Sequence, residues 1–410
     1  MKIKALDAIN TFRDYTSTVY GFRKINPDII AISTGYPLKD QLGMSLDMLK
    51  ALSPVQNGKE VSRLGYGWDF DANKLKSAIK DYENTKNKTN YDINNVSLTL
   101  GGTHGLNQVI SLISQKKGDN KFSIVAIAPT FFRLFGEIIE YSDIVPIYGK
   151  ARDSFIPSFQ SIVSSIKKDT VAIFLCNPSN PVYKFFPADL IEKIIAEVEK
   201  RGIYLIIDEV GDAFRYNEAK KYIYPNNINS EKVIRVCSAS KLFIMAESRL
   251  GYVIAEHGIA SAISRKVSNN VSHINYSACE AWKLGLEQEK KRLLGQNKHS
   301  LYTLNYNKNL SILNDCRGVA VNTLRSIKGI KQVIVPDTCF SLIFQLESEK
   351  YDRDTDFYKA LLQKEGVSLV PGSGFGIPQA GMWFRLTFAY PKERLKMALK
   401  RLAIFLTEAN

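Results

Sequence analysis

The chain has 410 residues, 45% of them hydrophobic and 23% charged, with a net charge of +14, which is the composition of a globular protein with one large core or two unequal ones and excludes disordered and fibrous classes. Its lysines are spread among asparagine and isoleucine, as in "ENTKNKTNYDINN", so the charge forms no nucleic-acid stripe. The five cysteines (Cys176, Cys237, Cys279, Cys316, Cys339) contain no C-x-x-C pair, no run approaches about 18 apolar residues, and the charged start "MKIKALDAINTFRDY" lacks a signal peptide's apolar stretch. These features predict a cytoplasmic protein without disulfides, zinc or membrane contact.

In chain order, runs of Val, Ile and Leu predict strands at "VSLTL" (96–100), "SIVAIA" (123–128), "VAIFLC" (171–176), "IYLII" (203–207), "VIRVC" (233–237) and "YVIA" (252–255). Amphipathic helices alternate with them. One covers 187–202, with Leu190, Ile194, Ile195 and Val198 at three- and four-residue spacing and Gly202 as its stop. The alternation predicts an α/β fold with a mostly parallel sheet covered on both faces. The last hundred residues change character: a strand at "CFSLIFQLE", a helix at "TDFYKALLQKEG", the turn-rich "PGSGFGIPQAG", a strand at "MWFRLTFA" and a closing helix. We expect a large domain over 50–295, and a smaller α+β domain formed by 296–410 with the N-terminal segment 1–49.

Ligands of such sheets bind beyond the carboxyl ends of the strands. Five successive strands run into "GGTHG", "PTFFR", "NPSNP", "DEV" and "SASK". Taken singly, each is ordinary: a helix-start turn, a core phenylalanine, a turn asparagine, a capping aspartate, a surface lysine. Together they supply what pyridoxal phosphate chemistry needs. A lysine amine forms the Schiff base, a carboxylate keeps the ring nitrogen protonated, amides and hydroxyls hold the phosphate, and an apolar face lies against the ring.

From "STGYP" (33–37) to "FRLTFA" (384–389) the chain resembles the class I/II aminotransferases, fold-type I enzymes dependent on pyridoxal 5'-phosphate. The most specific stretch is "SASKLFIMAESRLG" (238–251). The resemblance implies that Lys241 bonds the cofactor and moves the proton, that Ser238 and Arg249 hold the phosphate, and that Gly251 continues the motif. It places Gly102, Thr103 and His104 at the phosphate, Phe131 on the ring, Asn180 at the ring hydroxyl and Asp208 at the ring nitrogen. Tyr66 would reach the phosphate of a neighbouring subunit, which implies a homodimer. Arg385 would bind the substrate α-carboxylate, under a loop containing Gly35. His104, Phe131, Phe132 and Arg133 are candidates for the substrate pocket wall.

Three positions depart from the family pattern: Gly211 where D-E-x-Y has tyrosine, Tyr183 where N-P-T-G has glycine, and Asp71 five residues after Tyr66. The implied activity is transfer of an amino group from an amino acid to a 2-oxo acid. The loss of a phenol at Gly211 keeps open a cyclisation, elimination, decarboxylation or oxidation from the same intermediate, and Tyr183 is the candidate to replace that phenol.

Overall fold

All six Val/Ile/Leu runs are strands of one sheet in the computed structural model, which describes residues 5–37, 41–52, 55, 56, 59, 60, 71–115, 121–136, 142–216 and 225–408. In chain order the strands are β1 (Val96–Thr99), β2 (Phe122–Ala128), β3 (Ser142–Tyr148), β4 (Thr170–Cys176), β5 (Tyr204–Asp208), β6 (Val233–Ser238) and β7 (Gly251–Ile254), and they lie side by side as β1-β7-β6-β5-β4-β2-β3. Only β7 runs antiparallel to its neighbours. β2 and β4 are buried along their whole length, which is why they read as unbroken apolar runs. β3 was not expected from the sequence. Pro146 interrupts its pattern, and an edge strand tolerates the missing N–H.

The helix Gly101–Gln115 covers one face with Leu106, Val109 and Ile110, and the helix His257–Val271 adds Ile259 and Ile263. The helix Ala188–Arg201 seals the other with Ile191, Ile194, Ile195 and Val198, and stops at Gly202 (φ 67°), whose left-handed backbone suits glycine.

A second, antiparallel sheet contains β8 (Ile330–Ile334), β9 (Ser341–Leu346), β10 (Val370–Pro371) and β11 (Trp383–Thr387) in the order β8-β9-β11-β10. The helices Asp354–Glu365 and Lys392–Glu408 pack with it, as does the long helix Leu301–Ser326. That helix escaped the sequence reading because its buried stripe mixes Tyr302, Tyr306, Cys316 and Ala320 with only a few leucines.

The N-terminal helix Ala5–Ile25 places Phe12 and Tyr15 in the same core as Phe375 and Tyr358. The chain then crosses β11: Ile30 bridges to Val367, and the Thr387 amide donates to the Ile32 carbonyl at 2.8 Å. This crossing carries Ser33, Gly35 and Tyr36 to the ends of the large sheet. Among the described residues, no helix is long and apolar enough to cross a membrane, and all five cysteines are buried and unbridged.

Candidate active site

The side chain of Lys241 is half-buried just past β6, and its amine donates to the Gly35 carbonyl. The Tyr36 ring lies 5.7 Å below the amine, anchored by its phenol on the Ile244 carbonyl at 2.8 Å. Burial lowers the proton affinity of Lys241, and the nearby Arg385 and Arg249 lower it further, against Cys339 and Asp208. The amine is thereby biased toward its neutral, nucleophilic form.

Asp208 closes β5. One carboxylate oxygen accepts the Val210 amide at 2.9 Å, and the other lies 3.7 Å from the Cys176 sulfur. Burial outweighs these donors and pushes its pKa up to about 6. Among the described residues 209–216 no helix follows for it to cap. It is a carboxylate short of positive charge, at the edge where a ligand would sit.

The phosphate-binding expectation rests on close packing. A β-carbon at Gly101 (φ +83°) would stand 2.8 Å from Arg249 Nη2, and one at Gly102 would stand 2.5 Å from Val210 Cγ2. Only glycine allows the start of the helix Gly101–Gln115, the end of a helix that favours an anion, to lie this close to Arg249 and β6. Arg249 donates to the Ala246 and Leu100 carbonyls at 2.8 and 3.3 Å. The Ser238 hydroxyl lies 2.7 Å from that of Ser240, a neighbour the sequence reading had not assigned although it stands inside the S-x-S-K stretch. Thr103 is exposed at the helix start. His104 turns back: its Nδ1 accepts the Leu100 amide at 3.2 Å and its Nε2 lies 3.3 Å from Gln108, so the ring is engaged with its own helix.

Arg385 points from β11 toward the same place and is only 5% exposed. A β-carbon at Gly35 would lie 3.9 Å from both Arg385 Nη2 and Lys241 Nζ, so the guanidinium and the amine flank one point. Among the described residues the partners of Arg385 are neutral oxygens, Asn180 Oδ1 at 3.4 Å and the Ser33 carbonyl at 3.2 Å, and its Nε has none. Phe375 supports the guanidinium at 4.9 Å.

Phe131 is half-buried, edge-on to Phe12 with ring centres 5.0 Å apart. Phe132 does not line the pocket. It is 1% exposed, and its ring fills the space beside Gly376, where a β-carbon would come within 2.5 Å; it is core. Tyr66 and the side chain of Arg133 lie outside the described residues. Asp71 has a local explanation, since its side chain caps the helix Ala72–Asn87 by accepting the Asn73 amide at 3.0 Å. Gly211 and Tyr183 are a pair: a β-carbon at Gly211 would lie 3.3 Å from Tyr183 Cε1 and 3.2 Å from Pro178 Cγ. The Tyr183 ring therefore borders the space that a side chain at 211 would enter, and its phenol bonds the Cys339 thiol.

A mostly parallel seven-stranded sheet with a lysine, an aspartate and a glycine-opened helix at its carboxyl edge, joined to a small antiparallel sheet bearing an arginine, is the architecture of fold-type I aminotransferases. The chain belongs to the aminotransferase class I and II family, whose model matches residues 27–402, and is an enzyme of amino-group transfer. That membership favours transfer over the diverted reactions. A probable aspartate/prephenate aminotransferase from Aquifex aeolicus (strain VF5) is 28% identical over 345 residues, covering 82% of this chain and 81% of its own. Among solved structures, an alanine aminotransferase from Pyrococcus furiosus superposes with a TM-score of 0.81 at 22% identity, covering 97% of this chain and 96% of its own. An aspartate aminotransferase from Thermotoga maritima gives 0.79 at 21%, covering 97% of each.

Proposed function

We propose that Lys241 carries pyridoxal 5'-phosphate and that the enzyme moves the amino group of an α-amino acid to a 2-oxo acid at this site. The observation that carries the reading is Arg385: a buried guanidinium surrounded by neutral oxygens is costly unless an anion completes it. A substrate carboxylate would complete it bidentately and place the α-carbon near Lys241. When bound, the cofactor supplies an electron-accepting ring and the carbon that holds the amino group. The chain does the rest. Asp208 holds the ring-nitrogen proton, and Lys241 takes and returns the proton at the substrate α-carbon. The helix start at Gly102 and Thr103, with Ser238 and Arg249, binds the phosphate; the role expected of His104 passes to its backbone, since its ring is engaged elsewhere. Phe131 packs beside the ring, Asn180 aligns it, and Gly35 closes over the substrate. The same reading assigns 50–295 to the cofactor domain, 1–49 with 296–410 to the smaller one, and Tyr66 to the neighbouring site of a homodimer, in the cytoplasm.

Borohydride reduction of the cofactor-loaded protein followed by peptide mass mapping tests the reading. The reduced cofactor is expected on Lys241, and mixing with aspartate, the substrate named for the Aquifex relative, or another amino acid without a 2-oxo acid should convert the cofactor once and stop. Labelling of a different lysine, or repeated turnover without an acceptor, would overturn it.

A further inference from the structure

Cys176 and Asp208 are the last residues of β4 and β5 and face each other in register, so their side chains emerge on the same side of the sheet. The Asn177 amide bonds the Asp208 carbonyl at 2.9 Å and locks that register. The Cys176 sulfur lies 3.7 Å from Asp208 Oδ2, and the fully buried Thr130 hydroxyl lies 3.3 Å from the same sulfur. A thiol has one proton. When it is given to Asp208, Thr130 must donate to the sulfur, and the three groups form one directional chain. The Thr130 amide is itself fixed on the Phe375 carbonyl at 3.0 Å.

We propose that Cys176 is a positioning residue for the reaction: its S–H, oriented by Thr130, holds the second oxygen of Asp208 and sets the plane in which that carboxylate meets the cofactor. The proposal rests on the reading that Asp208 partners the ring nitrogen. With the Val210 amide on one oxygen and the thiol on the other, the carboxylate cannot rotate freely. The other ionisable groups that act on it are Glu209, which opposes its charge, and Lys241, which favours it. Burial keeps the thiol well above its ordinary range, so it remains an S–H donor and does not add a second negative charge. A merely space-filling cysteine would be replaced by alanine with little more than a packing cost.

The S–H stretching band, assigned by its loss in Cys176→Ala, separates these roles without requiring cofactor. It is expected at lowered frequency, and Asp208→Asn should shift it. In cofactor titrations Cys176→Ala should weaken affinity about fivefold, the size of one net hydrogen bond, and move the pH midpoint of binding upward. Cys176→Ser, which retains a donor, should restore most of both. An S–H band indifferent to Asp208→Asn overturns the proposal, as does a Cys176→Ala protein with wild-type affinity and pH midpoint. If Asp208→Asn itself leaves cofactor affinity unchanged, the reading of Asp208 fails, and the proposal falls with it even where the S–H band responds.

Discussion

Among the described residues two arginines are buried, and their surroundings are opposite. Arg235, in β6, meets Glu209 through Nε and Nη2 at 2.7 and 2.6 Å and Glu83 through Nη2 at 2.7 Å. Lys86 adds a contact to Glu209 at 3.5 Å and one to Asp212 at 2.9 Å. This cluster ties the helix Ala72–Asn87 to β6 and to the segment that follows β5. Arg385, in β11, meets only neutral oxygens among the described residues. A buried charge matched by the fold serves the fold, whereas one left unmatched is available to a ligand.

The largest expected effect sets the two against each other. Arg235→Ala strands Glu83 and Glu209 and should cost about 3–5 kcal/mol of stability, read as a fall in thermal midpoint. Arg385→Leu removes a charge that the fold does not neutralise. It should leave the thermal midpoint unchanged or higher while kcat/KM falls on the order of 10²-fold or more. If both variants lose stability equally, the contrast fails and Arg385 is structural.

In the sequence these arginines look alike, each a single cation in an apolar strand, "VIRVC" and "WFRLT". Periodicity reveals that both are buried but not what they meet. The partners of Arg235 come from Glu83, 152 residues away, and from Glu209, just past the end of the neighbouring strand β5. The strands themselves were legible because a parallel sheet buried on both faces forces continuous apolar runs. The site was legible in so far as its members stand at strand ends, where chain order and spatial order coincide. Ser33, Tyr36 and Cys339 were not assigned because they reach the site through a chain crossing and a loop, which no local pattern encodes. The engaged ring of His104 was also invisible, since "GGTHG" gives no sign that its side chain folds back on Leu100.

A smaller effect compares carboxylates. Burial alone would push Glu83 up, but Arg235 and Lys86 hold it below its ordinary value. Its stabilising contribution is therefore present above the ordinary carboxylate range and lost as pH falls through its lowered pKa. Asp208 has the opposite sign. With its pKa raised to about 6, its contribution to the cofactor-free fold is complete below its ordinary value of 3.8 and lost as pH rises through about 6. Cofactor binding needs the ionised form, so affinity should rise about tenfold per unit up to pH of about 6 and then level. Asp208→Asn should abolish the bend in that profile, whereas a bend that survives would assign it to another group.

The smallest expected effect concerns Tyr183, where burial raises the phenol well above its ordinary range and Cys339 receives its hydrogen bond. The ring stands against Gly211, Cys339 acts on the Lys241 amine, and so the phenol is one step removed from the charge that the amine carries. Removing the hydroxyl in Tyr183→Phe frees the thiol and should shift the pH at which the bound cofactor changes its visible band by about 0.5 to 1 unit, the equivalent of one net hydrogen bond. Gly211→Ala tests the same unit from the other side, because its β-carbon forces the ring to give way by a few tenths of an ångström and should move the same titration with the hydroxyl still present. If both variants titrate as the parent does, Tyr183 is packing and the phenol absent from position 211 has no substitute here.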